Sequence, residues 1–429
     1  MSGDGSPPAR LPGWLGRMLP VVLATDSYRR LWYTGLLYYQ AHWMEITVTG
    51  WVVLEFTGSA ASVGLVAFFR TLPMLVFGLI FGTLADRFKR VSVLGAIQIT
   101  GLSAALGFAL LFSLGYEILW LVCLLSAVIG CAWAADFATR RALVTELNTA
   151  ENTGSAMSLE ALSLQGGKIF APIIGGLLLG VGGAPAAYVF LSGMFAFGLF
   201  GVGRLRAIGV EGRPATTSSL PLIDLLRTGW RTAVEIPIVR VALIVTVVMN
   251  LMVFPYQHLI ALIAGEVLDV GPSRMGVLSG AAGLGSAVLA GYLTFRSRPA
   301  TAPVYFAVGA TAGAAGLVVL AFSTNFHLSV GLQLAIGACF GAFGAMQSVI
   351  VARAVEPEMR ARAMGVLAMA IGTGPIGMLL TGTLSSWIGA SWTIGGMAAM
   401  ATVILAATIL RYREELFGSI ATGREQTAR

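Results

Sequence analysis

Four ionisable residues, Glu45, Arg70, Glu160 and Lys168, stand inside stretches that are otherwise apolar. A charge at the centre of such a stretch costs about 2.5–3.5 kcal/mol when the stretch crosses a bilayer, so each is a candidate for function. Tyr38, His42, Glu45 and Thr49 recur at helical spacing and form one polar stripe. Facing a cavity, Glu45 and His42 would exchange protons; facing a neighbouring helix, Glu45 would make a structural hydrogen bond or salt bridge. Arg70 either binds an anionic substrate group or neutralises Glu45. Glu160 and Lys168 are eight residues apart, about two helical turns, and so share a face. Glu160 joins the proton-coupling candidates and Lys168 the cavity-lining ones. Lys168 also precedes Pro172, Gly175 and Gly176, which read as a helix break near mid-membrane. Further along, Asn250, Tyr256, Gln257, His258 and Gln347 are the polar candidates for the substrate wall, although each taken singly suits a helix-packing hydrogen bond.

The elements that must position these groups follow from composition. Of 429 residues, 57% are hydrophobic and 11% charged, which excludes an ordinary soluble domain. Apolar runs of about 20 residues suit helices across a hydrocarbon core of about 30 Å, where helices alone satisfy the backbone. Breaking the chain at charges, Pro and Gly-rich turns gives twelve spans, among them 31–56, 62–84, 157–179, 238–262 and 363–387. The expected fold class is an all-α membrane protein of two six-helix bundles. Cys123, Cys131 and Cys339 lie inside apolar runs and read as packing residues. No nucleotide-binding loop, metal-spaced His/Cys set or nucleophile elbow occurs, so neither a cofactor nor an enzymatic activity is expected.

Basic residues cluster in alternate connections, and of the 27 only Arg70, Lys168 and Arg274 depart from that pattern. The positive-inside rule then places both termini in the cytoplasm, as in a multi-pass protein of a bacterial inner membrane. The organisation expected is an N-terminal segment 1–28, a bundle 29–206, a cytoplasmic linker 207–237, a bundle 238–411 and a tail 412–429. The linker contains a stretch, 222–230, suited to an amphipathic surface helix. An internal repeat supports the division: Ala156-Met157 matches Ala363-Met364, and Gly82, Leu84 and Arg87 match Gly291, Leu293 and Arg296.

The run Gly82-Thr83-Leu84-Ala85-Asp86-Arg87-Phe88-Lys89-Arg90 resembles the connection after the second helix in the major facilitator superfamily, roughly Gly-x-Leu-x-Asp-Arg-x-Gly-Arg, with Lys89 at the family's glycine. The resemblance covers nearly the whole chain. Tyr28-Arg29-Arg30-Leu31-Trp32 and Thr57-Gly58-Ser59 look like the branch of siderophore exporters and macrolide-type efflux pumps. Ala171-Pro172-Ile173-Ile174-Gly175-Gly176 is similar to the antiporter signature, whose first glycine is alanine here, and Ser126 stands where the family places a fourth-helix arginine. The resemblance implies a secondary transporter working by alternating access, acting as a monomer on a small molecule and protons within the bilayer, with no nucleic acid. Proton-driven export of a mid-sized amphipathic compound is expected, with uptake or a non-transporting receptor as alternatives. Gly82, Asp86, Arg87 and Arg90 are read as a conformational gate. In it Asp86 meets the start of the eleventh helix near Ala363, and Arg87 or Arg90 reaches Asp136 on the fourth.

Overall fold

The computed structural model describes residues 23, 25–85, 88–210, 236–296, 301–356 and 359–417. The expectations for Asp86, Arg87, the 222–230 helix and most of the two terminal segments therefore lie outside the described residues. Six helices make the first half: α1 Asp26–Thr57, α2 Ala60–Ala85, α3 Arg90–Ser113, α4 Leu119–Leu147, then α5 (150–182) and α6 (184–207), which meet end to end at Gly183. Six more make the second: α7, starting as Pro237–Val248, α8 Pro272–Arg296, α9 Ala302–Ala321, α10 Phe326–Ala354, α11 Arg360–Ile371 resuming as Gly374–Ile388, and α12 Ala390–Arg411. Among the described residues nine helical segments are long and apolar enough to cross a membrane, one of them holding both α5 and α6; α2 has a shorter apolar stretch, Ala60–Val76. α1 is long enough as well, about 48 Å at 1.5 Å per residue, but its polar stripe lowers its hydropathy.

Helices turn where the backbone demands a glycine. Gly58 takes φ 59° and donates its N–H to the Leu54 carbonyl, closing α1 in the left-handed cap that β-carbons disfavour. Gly183, at φ 66° and ψ −167°, reverses the chain between α5 and α6. That is the one non-helical residue inside 150–207, so the break expected at Pro172, Gly175 and Gly176 is absent and α5 runs through them. Neighbouring helices hold the segment, and a backbone opened in lipid would have no partners. The two glycines act instead as flat surfaces, Gly175 against Met44 and Val48 of α1 and Gly176 against Pro272 and Gly276 of α8.

The seventh span departs from expectation in the other direction. Read as one helix over 238–262, it passes through a π turn at Met249–Val253, a 3₁₀ turn at Phe254–Gln257 and a second π turn at Ile263–Val267. Pro255 lacks an N–H and its ring crowds the carbonyl one turn back, which forces the local rewinding. Gly377 of α11 lies against the Leu251 carbonyl and the Pro255 ring, so α11 makes room for the irregular turn.

The starts of α1 and α7 and the ends of α6 and α12 lie at one end of the bundle, the terminal end; the α1–α2 and α7–α8 turns lie at the far end. Contacts between halves concentrate toward the far end. A methyl group built on Gly64 of α2 would lie 2.7 Å from the Cα of Gly382 on α11, and one on Gly180 of α5 would lie 2.5 Å from the Ser273 hydroxyl of α8. Ser273 also donates to the Gly176 carbonyl at 3.3 Å. Backbones this close require small residues on both sides.

Gly64→Leu has no flexible neighbour to displace, since it meets the Gly382 Cα and the Met378 carbonyl. Spin labels at Glu117→Cys and Thr324→Cys, on far-end turns of the two halves in a background lacking the native cysteines, should report a longer and broader distance in Gly64→Leu than in the parent. An unchanged distance would refute the role given to this contact.

Candidate functional site

The polar stripe of α1 faces into its own half. Arg70 reaches from α2 and donates through Nε to Glu45 Oε2 at 2.7 Å. Its Nη2 lies 2.7 Å from His42 Nδ1. A guanidinium only donates, so Nδ1 accepts and the imidazole proton is on Nε2. The His42 ring stacks on Trp133 of α4, with centroids 3.6 Å apart. On the other side Thr49 donates to Glu45 Oε1 at 3.2 Å, and the Tyr188 hydroxyl of α6 sits 2.7 Å from Thr49 Oγ1. With the single threonine proton committed to Glu45, Tyr188 donates to Thr49. The bonds from Tyr188 to Thr49, from Thr49 to Glu45 and from Arg70 Nε to Glu45 all run toward the Glu45 carboxyl group. The Arg70 and Glu45 side chains are 4% and 1% exposed, so the charges balance each other out of water.

A second cluster lies one to two turns nearer the terminal end. Arg140 of α4 pairs with Asp136 through two bonds, 2.6 and 2.9 Å, and donates to Thr34 of α1 at 3.2 Å. Its guanidinium also lies 5.6 and 5.7 Å from the ring centroids of Tyr38 and Tyr39. Tyr39 donates to Glu160 Oε2 at 3.0 Å, while Glu160 Oε1 is buried and has no hydrogen-bond partner. Gly35 provides the space that both Arg140 and Glu160 approach.

Between the halves lies a cavity walled by Trp43 and Thr47 of α1, Lys168 and Pro172 of α5, the rewound part of α7, and faces of α8 and α10. A second, smaller pocket is lined by His258 of α7 together with Glu45, Thr49, Arg70 and Ser126.

Several sequence expectations change place. Arg70 takes the second of its two readings, as the partner of Glu45. Tyr38 is packed among Trp133, Phe195 and Tyr39 and lines neither cavity. Glu160 and Lys168 share α5 but serve different neighbours, Tyr39 and Trp43. Asn250 donates to the Thr246 carbonyl one turn back on α7 at 2.9 Å and Gln347 of α10 donates to the Thr246 hydroxyl at 2.6 Å, so the second ties α10 to α7 and neither residue lines the cavity. Tyr256 and Gln257 do line it, with Tyr256 donating to Gln333 at 3.0 Å. Arg90 pairs with Glu146 at 2.8 Å and Asp136 with Arg140, so the Arg90 to Asp136 contact expected of the gate is not the one formed. Gly82 lies in α2. Sequence reasoning missed Trp133 and Arg140, although Trp133, Asp136 and Arg140 are spaced along one face of α4.

A family model described as a transmembrane secretion effector matches residues 20–422. The multidrug efflux pump Tap of Mycolicibacterium fortuitum is 27% identical over 365 residues, 81% of this chain and 86% of the relative. The pump of the same name from Mycobacterium tuberculosis H37Rv is 25% identical over 374 residues, 83% of this chain and 86% of the relative. Among solved structures, a bacterial homologue of the human lysosomal transporter Spinster, in its inward-facing and unoccupied conformation, superimposes with a TM-score of 0.67. It has 15% identity and the match covers 92% of this chain and 93% of that one. The nucleoside transporter NupG gives 0.66 at 14% identity, covering 90% and 99%.

Breaking a buried ion pair by removing one partner costs about 3–5 kcal/mol, whereas replacing both by apolar or neutral groups of similar volume is far milder. Arg70→Met should therefore lower the unfolding temperature in detergent much further than the double variant Glu45→Gln/Arg70→Met. Equal losses would mean that the two residues do not act as one structural unit.

Proposed function

The chain belongs to the transmembrane secretion effector family, within the major facilitator superfamily, and from that premise we propose that it exports a mid-sized amphipathic organic compound in exchange for protons. It is a membrane transporter and not an enzyme. The observation that carries the export reading is the cavity between two halves whose backbones touch toward the far end. A site at the junction of two rigid bundles, sealed on one side, is what alternating access requires. The positive-inside rule supports placing the terminal end in the cytoplasm, which makes this arrangement the inward-facing one. Aromatic and amide groups in one wall suit an amphipathic molecule better than a sugar, and similar proteins named as multidrug efflux pumps support the direction.

Proton coupling rests on the two carboxylates. Both oxygens of Glu45 are occupied, by Arg70 and Thr49, and a conformational change that draws α1 and α2 apart would open them to a proton. His42 is under the same control, because Arg70 occupies its accepting nitrogen. Glu160 has an oxygen without a partner, where a proton would be carried. The gate formed by Gly82, Asp86, Arg87 and Arg90 acts in the opposite state, when the terminal ends of the halves meet. The halves are taken as 29–206 and 238–411, and 207–237 as their cytoplasmic connection.

In everted membrane vesicles given a proton gradient, a panel of fluorescent amphiphiles should show uptake that collapses with a protonophore. Glu45→Gln should lower gradient-driven uptake by roughly tenfold or more, the range of a coupling free energy of about 1–3 kcal/mol, while gradient-free exchange of the same compound persists. Full gradient-driven uptake by Glu45→Gln would remove this residue from coupling, and equal loss of both activities would make its role structural.

A further inference from the structure

The charges of the first half are unequally satisfied. Arg70 is closed by Glu45 and Arg140 by Asp136, each at hydrogen-bond distance. Lys168 has no carboxylate partner among the described residues; its ammonium lies 4.7 Å from the ring centroid of Trp43 and projects into the cavity between the halves. Gly167 makes that contact available, since a methyl group there would collide with Trp43 at 2.9 Å. None of the residues lining this cavity is acidic.

The remaining polar groups of the wall have the same bias. Trp43 Nε1 and Ser279 Oγ, both on lining residues, are buried without a hydrogen-bond partner. A buried donor without a partner costs about 1–3 kcal/mol, so two of them beside an unpaired ammonium describe a site completed by something that accepts. Gln333 uses its oxygen on Tyr256, which leaves its amide N–H₂ as its free polar group. Ser286 accepts from Gln165 at 2.7 Å. Trp43, Tyr256 and Phe340 supply aromatic faces around these donors, with Pro172 and Ile260 completing an apolar lining.

We propose that this cavity receives amphiphiles bearing an acidic group on an aromatic body, with Lys168 binding the anionic oxygen and Trp43 and Ser279 supplying neutral hydrogen bonds. The ammonium on the Trp43 ring is then a resting contact, exchanged for a charge-assisted bond when the ligand arrives. The inference rests on the export reading for what happens after binding, but binding itself is independent of it. Arg70 takes no part, because binding an anion there would first break its bond to Glu45.

The probe is dansylglycine, with its methyl ester as the matched neutral compound, titrated against the purified full chain in lipid nanodiscs and followed by energy transfer from tryptophan. The acid should bind roughly ten- to hundredfold more tightly than the ester, the span of one or two decades that a charge-assisted bond adds. Lys168→Met, which keeps the stem, should abolish that preference, and Lys168→Arg should keep most of it. Trp43→Phe, which keeps the ring face and removes the N–H, should weaken acid and ester binding by similar factors while preserving the preference. No preference in the parent, no binding of the acid, or an unchanged preference in Lys168→Met would each overturn the proposal. Transport of the same dye by pH-jumped proteoliposomes is read separately. A Lys168-dependent preference without transport would count against the export reading alone, and transport without the preference against this proposal alone.

Discussion

Charge cannot be left uncompensated where water is excluded, and the first half of this chain is arranged around that constraint. Glu45 and Arg70 are 25 residues apart in sequence and on different helices, yet their side chains meet at 2.7 Å with almost no exposure. The pair draws α1 to α2, Thr49 and Tyr188 extend it to α6, and His42 on Trp133 extends it to α4. A similar pair, Asp136 with Arg140, lies within α4 itself and leans on α1 through Thr34. Such pairs add little net stability compared with well-packed apolar groups, but they are strongly specific, since a shift of either helix by one turn would strand a charge. That specificity fixes α1, α2, α4 and α6 in one relative arrangement.

The interface between halves obeys the opposite rule. Its closest approaches are Gly64 to Gly382, Gly176 to Pro272 and Gly276, and Gly283 to the Lys168 carbonyl, where no side chain intervenes. Surfaces of backbone and hydrogen atoms bind by short-range packing that is lost as soon as the helices separate. A contact of this kind is strong when closed and leaves no buried charge behind when it opens, which suits a seal that must form and break in each cycle.

How much of this was legible in the sequence depends on what kind of signal carried it. The helices and their division into two halves follow from apolar run length and from the alternation of arginines, both local or statistical properties of the chain. The candidate status of Glu45, Arg70, Glu160 and Lys168 follows from rarity alone. Partnership does not: nothing in the sequence distinguishes Arg70 bound to Glu45 from Arg70 awaiting a substrate, because the answer depends on the rotation of α2 against α1. Arg140 was misplaced for a related reason. The alternation of basic residues assigns it to a connection, whereas α4 runs on to Leu147 and buries it. Pro172 and Pro255 show how tertiary context decides the outcome of one residue type. At Pro172 the packed neighbours of α5 preserve the helix, whereas at Pro255 Gly377 of α11 leaves room for a rewound turn.

The two ends of the molecule are held by chemically different forces, and this sets what can bias the transport cycle. The described far-end contacts between halves are made by glycine, proline and serine, with no ion pair among the described residues there, so ionic strength and pH have little to act on. Charge is concentrated at the terminal end, where Asp26 pairs with Arg29 and Arg30, and Arg90 with Glu146. All of these pairs lie within the first half. They are partly exposed, so each is screened over a Debye length of about 8 Å at physiological salt and is worth little by itself. Closing the terminal end would bring this charged surface against the second half and strip it of water, which raises the energy at stake in each contact. On the proposed reading, then, the packing at the far end is nearly constant across conditions, and the equilibrium between the two states is tuned from the terminal end. A charge substitution there would shift populations by the difference in its interaction between states, without any change in the residues that line the cavity.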